Sequence, residues 1–141
     1  MSTFEELEPR EKELLLSAPA LISLLAANED GKMDEGEKKR AIELSHIKTF
    51  SSPIEVRDFY IEAEKDFMKR VDELDRALPR DKEIREKELR KKLSEVNKVM
   101  KKLNEAFSNK LRDSLDSYTE HVAKSHFNVL PHILDPFYWL G

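Results

Sequence analysis

The chain has 141 residues, of which 38% are charged and three are glycine, a length and make-up suited to one domain and poorly suited to most large enzyme architectures. Its 25 Lys and Arg against 29 Asp and Glu leave a formal charge of -4, which is not the footprint of a nucleic-acid binder. There is no cysteine, so disulfides, thiolate metal sites and cysteine nucleophiles are excluded.

No apolar run approaches the roughly 20 residues that cross a bilayer, and no basic segment leads into a signal-peptide core. A cytoplasmic, non-membrane protein is therefore the expectation. Pro9 suits the first turn of a helix that runs into Leu14, Leu15 and Leu16. Pro19 interrupts it, and Ser17 is placed to cap a restart over Ala20 to Asn28. Leu21, Ile22, Leu24, Leu25, Ala26 and Ala27 cover nearly every face of that restart, which predicts a central helix packed on several sides.

Gly31 supplies the freedom to end it. Asp34 then reads as the cap of a surface helix from Glu35, with Glu37 as the reciprocal acid and Met33, Ala41, Leu44 and Ile47 as its apolar stripe. Ser52, Pro53 and Glu55 form a second start signal. Beyond it, Val56, Tyr60, Ala63, Phe67, Val71, Leu74 and Leu78 recur at three- and four-residue steps, predicting one helix of roughly 25 residues up to Pro79.

From Lys82 the stripe Leu89, Leu93, Val96, Met100, Leu103, Phe107 and Leu111 has heptad-like spacing, extended after a slip by Leu115, Tyr118 and Val122. Unbroken to Ala123, this helix would measure about 63 Å. A compact chain of this length has a radius of gyration near 14 Å. The expected remedy is a bend around Ser108 to Ser117, with residues 53–78 packed antiparallel on 82–107; the alternative is a coiled-coil dimer. The end of the chain, with Phe127, Leu130, Phe137, Tyr138 and Trp139, is too apolar for an ordinary polar tail. It is expected to fold back on the body or to receive a partner through Tyr138 and Trp139.

The domain prediction is thus a single all-α unit over 1–141: a compact helical domain with a long charged hairpin, a basic segment at 80–102 and an aromatic segment at 127–141. Residues 80–102 hold ten basic and five acidic side chains, a local +5. Within them Lys91, Lys92 and Lys98 are candidates for meeting an acidic protein surface; interspersed glutamates and the lack of adjacent aromatics argue against nucleic acid.

For chemistry, Asp30, Asp34 and Glu37 gather oxygen donors around a turn and a helix start, where calcium or magnesium is bound by hard ligands. Capping and solvated acidity account for the same residues, and the twelve-position calcium loop is missing: counted from Asp30, Ala41 stands where the bidentate Glu belongs. The four histidines include no i, i+4 zinc pair, and no serine lies in a nucleophile elbow.

The run from Ala18 through Pro19, Leu21, Ile22, Leu24 and Ala27 to Asp30, Gly31, Met33, Asp34, Gly36 and Glu37 resembles the first helix pair of tellurite-resistance TerB-like proteins, over about residues 14–47. The resemblance implies an all-helical fold, a stress-response setting and calcium bound through acidic residues, carried onto Asp30, Asp34 and Glu37. The resulting expectation is a non-catalytic stress-related or regulatory interaction domain with weak divalent-metal binding and a protein partner or homodimer. A coiled-coil scaffold without metal and a helical metal-dependent enzyme are the alternatives.

Overall fold

The computed structural model describes residues 4–28 and 54–125. Among them are six α-helices and no strand: α1 Pro9–Leu16, α2 Ala18–Ala27, α3 Ile54–Lys65, α4 Phe67–Ala77, α5 Lys82–Met100 and α6 Glu105–Ser125, preceded by a short 3-10 turn, Phe4–Glu6. The all-α, compact helical bundle follows the apolar periodicity directly.

Pro9 occupies the first turn of α1, as its missing amide permits. Ser17 separates α1 from α2 but does not cap α2 with its side chain. Its backbone stays helical, and its Oγ donates backwards to the Leu14 carbonyl at 2.6 Å. All ten residues of α2 are buried. This helix packs against α4, α5 and α6, so the sequence-based expectation of a central helix is met.

The stripe from Val56 to Leu78 belongs to two helices rather than one. The chain leaves helical geometry at Asp66 (φ -118°, ψ 21°), which frees carbonyls in the last turn of α3. Arg70 answers one of them, its Nη1 donating to the Ala63 carbonyl at 3.2 Å. Asp81 caps α5 by accepting from the Ile84 amide at 3.0 Å, as its position before Lys82 predicts.

The long rod does not bend at Ser108 to Ser117, which lie inside continuous α6. It breaks earlier, at 101–104, where Asn104 Oδ1 accepts from the Phe107 amide at 3.1 Å and starts α6. The apolar steps Met100, Leu103 and Phe107 continue through this break, which is why periodicity alone reads one helix. After the turn, α6 packs on α2 and α3. The antiparallel packing of 53–78 on 82–107 is also not found, because α4 and α5 each pack against α2 rather than along one another.

Three aromatic rings tie the 3-10 turn to the bundle: Phe4 lies edge-on to Phe59 at 5.8 Å and stacks on Phe107 at 6.2 Å. Two polar pairs are sealed in the core. Ser23 Oγ donates to the Pro19 carbonyl or to Tyr118, with the Tyr118 hydroxyl 2.7 Å away, and the Tyr60 hydroxyl meets Ser114 Oγ at 2.8 Å. Burial pushes both phenols well above the usual tyrosine range, with the serine hydrogen bonds opposing it only in part.

A phenol whose folded-state pKa is raised stabilises the fold fully below its unfolded pKa, and that stabilisation is lost as pH climbs toward the folded value. Stability is therefore expected to fall above about pH 10, by up to about 2.7 kcal/mol per pH unit while Tyr60 and Tyr118 both stay protonated. Ultraviolet titration at 295 nm checks this: tyrosinate from these two of the three tyrosines emerges together with the loss of helical circular dichroism. Smooth ionisation near pH 10 with the helices intact would contradict the buried placement.

Candidate functional site

Asp30, Asp34 and Glu37, and with them the calcium or magnesium expectation, lie outside the described residues, as do Tyr138 and Trp139. Among the described residues no group of three or more His, Asp or Glu is gathered in a way that holds a metal ion. No helix among them is long and apolar enough to cross a membrane. The surface features that remain are built on α5.

The core-facing side of α5 carries Leu89, Leu93, Val96 and Met100, all buried. Helical geometry then turns positions 87, 91 and 98 to the opposite side, within about 40° of azimuth and about 16 Å of axial length. Lys87, Lys91 and Lys98 are accordingly exposed. None of them takes part in an ion pair among the described residues, although neighbouring Arg90 pairs with Glu86 at 3.6 Å and Lys102 pairs with Glu11. One turn before Lys87, Ile84 stands 52% exposed, a large apolar side chain at the end of a cationic row.

Of the three lysines singled out in the sequence, Lys91 and Lys98 share this exposed face and Lys92 does not. One residue of rotation carries Lys92 to another side, where it is half-buried and lines a separate groove. Lys87 was missed. The same four-residue step from Lys91 that links successive helical turns was the signal for it.

The groove, about 490 Å³, runs between α1, α4 and α5. Leu14, Leu74 and Ala77 give it apolar walls, and Arg10, Lys92, Glu73 and Glu95 stand around it. At its base is Arg70, whose side chain is only 8% exposed. The break at Asp66 turns this guanidinium toward α3's terminal carbonyl on one side and toward α1 on the other. Its Nε donates to Glu13 Oε2 at 2.7 Å and its Nη2 to Glu13 Oε1 at 3.2 Å, a two-pronged contact between residues 57 positions apart. No periodicity pattern encodes that meeting.

No family model, curated protein or solved structure matches the chain. The functional reading therefore rests on the surfaces themselves.

Proposed function

We propose that the chain is a non-catalytic, regulatory interaction domain whose docking face is the outer side of α5, and that its partner is an acidic protein surface. The observation carrying this reading is the row Lys87, Lys91 and Lys98, three exposed cations without ion pairs among the described residues, ending on exposed Ile84. Exposed cations that are not held in salt bridges stay available to attract an opposite surface over a Debye length of about 8 Å at physiological salt. An apolar side chain at the end of the row supplies the desolvated anchor that a protein partner uses. A nucleic acid would more readily be met by stacking aromatics among the cations, and α5 carries none.

The test is fluorescence anisotropy of a labelled helical peptide bearing glutamates and one leucine, compared with a labelled single-stranded oligonucleotide. The peptide is expected to bind at low salt and to weaken as salt rises. The triple variant Lys87→Glu, Lys91→Glu, Lys98→Glu is expected to lose about tenfold or more in affinity with its melting temperature nearly unchanged, since exposed side chains away from special features contribute little to stability. Equal peptide binding by the triple variant, or tighter binding of the oligonucleotide, would overturn the assignment.

A further inference from the structure

We infer that the groove between α1, α4 and α5 is a binding site for a small monocarboxylate with an apolar body, and that Glu13 is an internal stand-in which such a ligand displaces from Arg70. The two halves of the Arg70–Glu13 pair are unequal. Arg70 is nearly buried and tethered by the Ala63 carbonyl, whereas the Glu13 side chain is 62% exposed. A buried guanidinium deprived of its carboxylate is strongly disfavoured; an exposed carboxylate released into water is not. Another carboxylate presented to the same Nε and Nη2 donors therefore replaces Glu13 without leaving either charge stranded.

The charge around the groove selects a single negative charge. Arg10, Arg70 and Lys92 balance Glu13, Glu73 and Glu95, so the outward swing of Glu13 leaves the groove at +1 and a monoanion restores neutrality. Arg10, Lys92, Glu73 and Glu95 form no ion pairs among the described residues, so no salt bridge between them closes the rim. Leu14, Leu74 and Ala77 face the space beside Arg70 and suit the apolar part of the ligand. The volume of about 490 Å³ falls within the range of small-molecule sites.

The probe is 4-phenylbutyrate, titrated into the full chain while the Arg70 Nε–H signal is followed by NMR, with 4-phenyl-1-butanol and acetate as controls. Saturable movement of that signal is expected with phenylbutyrate, a weaker response with acetate, and none with the alcohol. Glu13→Gln removes the internal competitor, so the free site is populated more often and phenylbutyrate is expected to bind at least threefold tighter. Ala77→Phe, at an exposed position on the groove wall, fills the space without disturbing the core and is expected to abolish binding. If phenylbutyrate produces no saturable shift, if the alcohol acts equally, or if Glu13→Gln binds no tighter than the parent, then the Arg70–Glu13 pair is only a clamp between α1 and α4 and the inference fails.

Discussion

Leu21→Ala is expected to lower stability by about 3 kcal/mol, within the range for emptying a buried leucine site. Leu21 is fully buried on α2, and α2 is held from separate directions by α4, α5 and α6. A fully buried site on a helix that three others pack against has little room to collapse around the missing methyls, so most of the cavity persists. Urea denaturation followed by circular dichroism should show a lower midpoint with an unchanged slope. Ile54→Ala is the contrast: with Ile54 72% exposed, the same chemical deletion should shift stability by no more than about 0.5 kcal/mol. Similar losses for the two variants would mean that α2 is not the packing centre.

The second large effect concerns Arg85, which is 1% exposed yet charged. Its Nη2 donates to the Asp75 carboxylate, and its Nη1 makes longer contacts with the carbonyls of Asp75 at 3.4 Å and Pro79 at 3.5 Å. Asp75→Ala removes the countercharge and strands the guanidinium, which typically costs about 3–5 kcal/mol. Arg85 Nε has no hydrogen-bond partner among the described residues, so the pair is imperfectly satisfied even when intact. The double variant Asp75→Leu, Arg85→Met should therefore regain most of the loss, because apolar groups of similar size need no partners. A double-mutant cycle in urea built from Asp75→Leu, Arg85→Met and their combination, with Asp75→Ala alongside, measures this; an Asp75→Ala loss below about 1 kcal/mol would show that water already serves Arg85.

Sequence and structure agree most closely where the responsible forces act within one or two turns. The first-turn Pro9, the cap at Asp81, the almost wholly apolar α2 and the buried stripe of α5 are legible because each involves residues no more than four apart. Asn104 shows how such a signal is overlooked: it is a good capping residue, but it sits inside an unbroken apolar rhythm that reads as one rod. Asp66 is harder still, since its side chain makes no cap bond and the break is supported by Arg70 from the next helix. The same distinction governs the candidate surfaces. Lys91 and Lys98 share a face by helical arithmetic alone, whereas the groove exists only because α1, α4 and α5 converge on it.

By itself the sequence determined the all-helical fold class, where α1 and α5 begin, and which side of α5 turns inward, because hydrogen bonding within the helix and the 3.6-residue repeat are local properties. The tertiary structure decided that α4 and α5 pack on α2 instead of on each other. It also decided that Arg70 meets Glu13 across 57 positions and that Ser23 meets Tyr118 across 95. Those choices come from fitting apolar ridges into grooves and from finding a partner for each buried polar group, conditions met jointly by distant residues and written in no single segment of the chain.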